Sequence, residues 1–336
     1  MALRRILTPL AALYRVGSLI DRAQRSHAAH RSPLPVISVG NIASGGTGKT
    51  QCVLRIVEEL QQSQSVIVLS RGYGRASTDS VVWRAGDALP APAILGDEPS
   101  LIASTMRNGA IGVGVDRVAL LRQLEYTMPG AAVVLDDGFQ HHQIRRDCDI
   151  VLVDRATVEG ALIPVGELRE PFRALRRADI LIVSTPDLLP FTERWRGRMT
   201  QVFVQRQPSA RFLDVDRFPV DLVGRPIVLV TGIAQPERVL ATAERMGAIV
   251  VGRLRFRDHA RYDVHDADRI IDSVRAHRAV CALTTSKDAV KLARFDRLRD
   301  QLALIDVRIE LEEEHRFWAA VRSFLNPKTS ANLACL

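Results

Sequence analysis

Val36-Ile37-Ser38-Val39-Gly40-Asn41-Ile42-Ala43-Ser44-Gly45-Gly46-Thr47-Gly48-Lys49-Thr50 reads as a strand that breaks into a glycine-rich turn. The run from Val36 to Val39 is short and wholly apolar but for Ser38, as suits a strand buried in a parallel sheet. Behind the turn, Val53-Leu54-Arg55-Ile56-Val57 has the apolar spacing of a helix. Strand, glycine turn, Gly48-Lys49-Thr50 and helix is the order in which a P-loop cradles a nucleoside triphosphate. Gly45, Gly46, Thr47 and Gly48 let backbone N–H groups turn towards phosphate oxygens. Lys49 supplies a point charge to the β and γ phosphates, and the Thr50 hydroxyl can bind Mg²⁺. The strict pattern has glycine at position 43, where Ala43 stands. A merely structural turn would account for the glycines, but not for Gly-Lys-Thr directly behind a strand.

Outward from this stretch, apolar runs alternate with helical patterns. Val66-Ile67-Val68-Leu69, Ala132-Val133-Val134-Leu135, Ile150-Val151-Leu152-Val153 and Ile180-Leu181-Ile182-Val183 read as buried parallel strands. Pro99–Met106, Asp116–Tyr126 and Phe172–Arg177 fit the helical crossovers between them. The reading is a doubly wound α/β domain over 32–186, its active edge at the carboxyl ends of the strands. Over 187–219 the rhythm weakens into a linker, where Gln201–Val204 and Arg211–Val215 alternate like a strand pair. A second, smaller α/β domain is expected over 220–326, from the runs at 227–230, 248–251, 280–283 and 303–305. A short tail, 327–336, closes the chain.

The 336 residues, 47% hydrophobic and 25% charged, have the composition of an ordinary folded protein with ample core. Four scattered cysteines without a C-x-x-C pair speak against a disulfide frame or a zinc site. Much of the net charge of +8 lies in residues 1–31, where six arginines face Asp21 alone. There Leu3, Ile6, Leu7, Leu10, Leu13, Val16, Leu19 and Ile20 make one apolar helical stripe. Its uncharged run, Ile6 to Tyr14, falls far short of the ~20 residues a spanning helix needs. The expectation is an amphipathic helix on the cytoplasmic face of a membrane, with packing on the protein's own core as the alternative. Without an aromatic stacking stripe, a nucleic-acid partner is not expected.

Several loops carry chemistry. Leu135-Asp136-Asp137-Gly138-Phe139-Gln140-His141-His142 closes a strand with two carboxylates, the position from which an acid holds Mg²⁺ opposite a P-loop threonine. Two adjacent acids repel unless a cation sits between them or one is protonated. In Gly96-Asp97-Glu98-Pro99, Asp97 could equally be a helix cap or a functional acid. Asp116-Arg117 reads as a cap followed by an arginine able to reach phosphate. Pro164 to Pro171 is by default a surface loop, although Arg169 could clamp an oxyanion and Glu170 reach a metal. Asp258-His259 is unreadable alone, and Thr284-Thr285-Ser286-Lys287-Asp288 ends a strand where ligand loops sit.

Taken in order, these motifs resemble the tetraacyldisaccharide 4'-kinases, the lipid A 4'-kinases of Gram-negative bacteria. The resemblance runs from about residue 3 to residue 320. It includes Val39-Gly40-Asn41-Ile42, the P-loop, Leu69-Ser70-Arg71-Gly72-Tyr73-Gly74, and the loops at 96–99, 136–141, 166–171, 258–259 and 284–288. Family members usually carry a small hydroxyl residue where Ala43 stands; Gln51 and Ser286 also depart from the pattern, at positions given no role. The resemblance implies a monotopic inner-membrane enzyme that moves the γ-phosphoryl of ATP to the 4'-hydroxyl of a tetraacyl disaccharide 1-phosphate. It implies that Asp97 and His259 act as a dyad, Asp97 accepting the hydroxyl proton. It further implies Mg²⁺ among Thr50, Asp136, Asp137 and Glu170, with Lys49 and Arg169 on the transferring phosphoryl and Arg117 nearby. A P-loop GTPase or ATPase switch, or a metal-centre assembly factor at the membrane, is the competing expectation. Ser44, where such proteins often carry lysine, and the lack of Asn-Lys-x-Asp disfavour it. A non-enzymatic membrane-bound or nucleic-acid-bound scaffold is the third.

Overall fold

The computed structural model describes residues 28–44, 47–73, 75, 77–205, 209–233, 236–258 and 260–325. Gly45, Gly46, His259, the amphipathic helix expected at the N-terminus (through residue 27) and the tail expected over 327–336 lie outside the described residues.

Among the described residues the strands form two sheets. The first has eight strands, in the order β3 (Val81–Arg84), β4 (Gly109–Val113), β2 (Val66–Ser70), β5 (Ala132–Asp136), β1 (Val36–Gly40), β6 (Cys148–Val153), β7 (Ile180–Val183), β8 (Gln201–Val204). The second has five: β11 (Ile249–Arg255), β10 (Pro226–Thr231), β12 (Cys281–Thr285), β13 (Leu302–Arg308), β9 (Ser209–Asp214). Each sheet is parallel except at one edge, where β3 runs against β4 and β9 against β13. The expected parallel sheet is therefore mixed. Strand β4, and with it the β3 edge that pairs on it, escaped the sequence pattern for a physical reason. Strand β4 is Gly109-Ala110-Ile111-Gly112-Val113, and a Cβ at Gly109 would lie 2.0 Å from the Val66 carbonyl oxygen. The strand needs those glycines to close on β2, and so lacks the continuous apolar run of a buried strand.

The linker's expected strand pair does not form. Strand β8 extends the first sheet parallel to β7, and β9 joins the second sheet on β13. Alternation marked both segments as half-covered strands, but it carries no information on which sheet edge each will find.

Side chains of β1 alternate across the sheet. Ile37 and Val39 pack with Val53, Ile56 and Val57 of helix α1 (Lys49–Leu60) on one face. Val36 joins Leu120, Leu121 and Leu124 of helix α3 (Arg117–Thr127) on the other. The chain leaves β1 for β2 on one side and later fills β6, β7 and β8 on the other. This reversal opens a crevice at the carboxyl ends of β1 and β5, where ligands bind in such sheets.

Two helix contacts tie the sheets together, beside ion pairs such as Arg308 with Glu58. Helix α6 (Glu314–Leu325) follows the second sheet in sequence, yet Phe317, Trp318 and Val321 bury in the first sheet's core beside α1. Arg55 Nη2 lies 2.5 Å from Glu314 Oε1, and Arg322 Nη2 2.6 Å from Glu59 Oε1, flanking that contact. Burial of side chains of this size is worth about 1.5–3 kcal/mol each. The second tie joins helix α2 (Asp97–Ala103) to helix α5 (Ser286–Leu292).

Candidate active site

The P-loop enters α1 through Gly48, whose φ of 87° lies in the left-handed region. Lys49 is the first residue of α1 and Thr50 is buried in its first turn. The Lys49 ammonium donates to Asn41 Oδ1 at 3.2 Å and lies 3.6 Å from Asp137 Oδ1. Asn41 in turn donates to the Thr47 hydroxyl at 2.9 Å. A lysine and a helix N-terminus thus converge with the carboxylates that end β5, as expected.

The carboxylate loop is pressed against the P-loop strand. A Cβ added at Gly40 would lie 2.6 Å from the Phe139 Cβ, so only glycine admits this approach. Asp137 adopts φ 50°, an uncommon conformation for a non-glycine residue and a strain of order 1–3 kcal/mol. Two groups over-determine it. Arg169 Nη1 is 2.6 Å from Asp137 Oδ2. The buried Arg117 guanidinium donates to the Asp136 carbonyl at 3.1 Å and the Asp137 carbonyl at 3.5 Å. Arg117 therefore clamps the backbone beneath the acids, and burial lowers its pKa despite their charge.

The two acids titrate apart. Burial raises Asp137, but Lys49 and Arg169 outweigh it and hold the carboxyl below its ordinary value. Asp136 is pushed up to about 6 by burial and by the nearby Glu98 charge, against a 2.9 Å hydrogen bond from the Ser70 hydroxyl. An acid raised in the folded state binds its proton more tightly when folded. Its contribution to stability is full below its ordinary value of 3.8 and is lost as pH rises through about 6. Asp136→Asn removes that loss. Metal-free variant protein is expected to gain roughly 1–3 kcal/mol over the parent at about pH 7.5 and little at about pH 4. Thermal melts at the two pH values check this, and an equal gain at both would refute the burial account.

Asp97 is settled against capping. The N-cap of α2 is Gly96, with φ 96°, and no side chain caps that helix. Asp97 instead lies 3.2 Å from Lys291 Nζ, and Glu98 lies 2.6 Å from Lys287 Nζ, both lysines on α5 of the second sheet. By contrast Asp116 does cap, its side chain accepting from the Ala119 N–H. Glu170 is occupied: Arg177 lies 2.9 Å from its Oε2 and 3.1 Å from its Oε1, and Gln140 donates to Oε1 at 3.0 Å. Asn41, Ser70, Arg177 and Lys291 hold site residues yet drew no role from sequence. Asn41 and Ser70 stand inside motifs of the resemblance, and Lys291 is one of four lysines in the chain.

Asp137 Oδ1 is buried without a hydrogen-bond donor and faces the Lys49 ammonium at 3.6 Å, an oxygen placed to meet cationic charge. Among the described residues no group of three or more His, Cys, Asp or Glu could hold a metal by itself. Asp136, Asp137 and Thr50 offer oxygen donors, the kind Mg²⁺ takes alongside waters and phosphate oxygens. Such a site can bind a triphosphate and pass on its terminal phosphoryl, which by class makes the chain a P-loop phosphotransferase.

The family model described as tetraacyldisaccharide-1-P 4'-kinase matches residues 3–326, and the chain belongs to that family. The tetraacyldisaccharide 4'-kinase of Anaeromyxobacter dehalogenans (strain 2CP-C) is 36% identical over 306 residues, covering 84% of this chain and 80% of the relative. That of Syntrophus aciditrophicus (strain SB) is 34% identical over 342 residues, covering 93% and 90%. A crystal structure of the "apo" form of LpxK from Aquifex aeolicus, in complex with ATP, is similar with a TM-score of 0.80 and 26% identity. It covers 96% of this chain and 99% of that one.

Proposed function

We infer that the chain transfers the γ-phosphoryl of ATP to the 4'-hydroxyl of a tetraacyldisaccharide 1-phosphate, a step of lipid A biosynthesis. Family membership over 3–326 supports the reaction. The observation that carries the residue roles is the second acidic motif. Asp97 serves no cap, while its neighbour Glu98 lies close enough to raise Asp136. A nucleotide switch needs the phosphate site alone; a kinase needs a second acid for its acceptor.

In this reading Gly45, Gly46, Thr47, Gly48, Lys49 and Thr50 hold the phosphates. Lys49 and Arg169 meet the charge that spreads over the transferring phosphoryl. Arg117 contributes by fixing the Asp136–Asp137 backbone. Asp97 accepts the proton of the acceptor hydroxyl, and His259 is its partner in the dyad. Tyr262 has its ring 5.6 Å from the same Lys291 ammonium that contacts Asp97. Thr50, Asp136 and Asp137 are the proposed Mg²⁺ donors, and Glu170 joins them only by releasing Arg177. Mg²⁺ held by these residues would neutralise charge on the phosphate.

Among the described residues no helix is long and apolar enough to cross a membrane. The arginine-rich stripe of residues 1–31 is the proposed contact with the anionic cytoplasmic face of the inner membrane, each arginine worth about 1 kcal/mol there. One assay tests substrate and membrane together: γ-labelled ATP, Mg²⁺ and the tetraacyldisaccharide 1-phosphate in anionic vesicles. Label is expected in the lipid, in protein that sediments with the vesicles. Deleting residues 1–30 is expected to leave the protein in the supernatant. ATP hydrolysis without lipid labelling would favour the switch, and full sedimentation of the truncated chain would move the membrane contact elsewhere.

A further inference from the structure

Lysine stands at only four positions, 49, 287, 291 and 328, in a chain with 46 lysines and arginines. Where arginine is the default cation, a lysine marks a place suited to a compact ammonium. Lys287 and Lys291 sit one turn apart on α5 and reach consecutive acids, Glu98 and Asp97, on the first sheet's α2. The two pairs are unlike. The Lys287 and Glu98 side chains are 34% and 39% exposed, so that contact is worth little. Lys291 and Asp97 are only 8% and 17% exposed.

Lys291 is also anchored on its own side. Its ammonium lies 3.4 Å from Asp288 Oδ1, and the Asp288 side chain is fully buried. Asp288 is itself fixed, its Oδ2 accepting the Gly232 N–H at 2.9 Å and the Thr285 hydroxyl at 3.0 Å. The Tyr262 ring covers the ammonium from a third side. Burial and the Asp288 charge push the Tyr262 phenol up, consistent with a desolvated, charge-dense nook. An ammonium held this way reaches out of the second sheet in one direction, towards Asp97 Oδ2.

We propose that Lys291 is a positioning residue for the phosphoryl transfer. It holds the Asp97 carboxylate oriented, so that the base is competent only while the second sheet is docked. This rests on reading Asp97 as the general base. A misplacement of about 1 Å can cost on the order of 100-fold in rate.

The test is steady-state kinetics on the full chain with ATP and the tetraacyldisaccharide 1-phosphate. Lys291→Met is expected to lower kcat about 10- to 100-fold with the ATP KM within about twofold, and Lys291→Arg to recover part of the loss. Lys287→Met is expected to change kcat by less than about twofold. In an Asp97→Ala background, Lys291→Met is expected to cost less than about twofold more, since its effect runs through Asp97. Should Lys291→Met fail to fold, the Asp288→Asn/Lys291→Met pair, which leaves no buried charge on the second sheet's side, carries the same expectation. A kcat within about twofold of the parent overturns the proposal, as does an undiminished loss in the Asp97→Ala background. If Asp97→Ala itself keeps near-full kcat, the base reading falls. If Asp97→Ala is impaired and Lys291→Met is not, only the Lys291 inference falls.

Discussion

Asp97→Ala is expected to lower kcat by about 10²–10⁴, the usual worth of a general base, with the ATP KM nearly unchanged. The split follows from where Asp97 sits. It is the first residue of α2, contributes no cap, and contacts a lysine of the second sheet. Lys49 and the Asp136–Asp137 pair belong to other strand ends, so ATP should still dock when Asp97 is gone. The acceptor hydroxyl must then attack without a proton acceptor, and only the transition state suffers. The structural cost of the substitution should be small, because Lys291 keeps Asp288 as a partner at 3.4 Å. Initial rates at saturating ATP, with a melting curve as a folding control, decide the matter. Near-full kcat would sink the base assignment.

Lys49→Ala is expected to harm both parameters. Its ammonium stands at the N-terminus of α1, between Asn41 and Asp137, where both ground-state phosphates and transferring charge are met. Loss of a charge-stabilising donor costs roughly 10²–10³ in kcat, about 2.7–4 kcal/mol. Because the same ammonium binds the ground-state triphosphate, the ATP KM should also rise, by about tenfold for a contact worth 1.4 kcal/mol. The substitution also removes the leading charge that holds Asp137 low, leaving Asp136 and Asp137 to repel more strongly. Steady-state kinetics with varied ATP, beside direct nucleotide binding, check both effects. An unaltered ATP affinity would mean that Lys49 serves Asp137 and not the nucleotide.

Much of the site was legible because its parts are local. Gly48-Lys49-Thr50 behind an apolar strand and two acids closing another state their chemistry within a few residues. Asp116 was legible as a cap for the same reason, the bond running to Ala119. Asp97 was not. Cap and functional acid share one sequence context, and only the placement of Gly96 at the N-cap separates them. Glu170 shows the converse. Its loop could offer a metal ligand, but Arg177 and Gln140, brought from either side, engage it. The Thr284–Asp288 segment read as a ligand loop at a strand's carboxyl end, whereas Lys287 turns to Glu98 and Asp288 secures Lys291.

By itself, then, the sequence determined the P-loop, the carboxylate pair, those buried strands that are continuous apolar runs and the family resemblance, since each depends on neighbours along the chain. Tertiary structure alone decided the antiparallel edges, the separate destinations of β8 and β9, the return of α6 to the first core and the meeting of Asp97 with Lys291. Those features depend on pairs far apart in the chain, 194 residues in the last case. Periodicity states that a face will be buried or a charge paired. It does not state by which partner, because that choice is made by packing between elements that are distant in sequence.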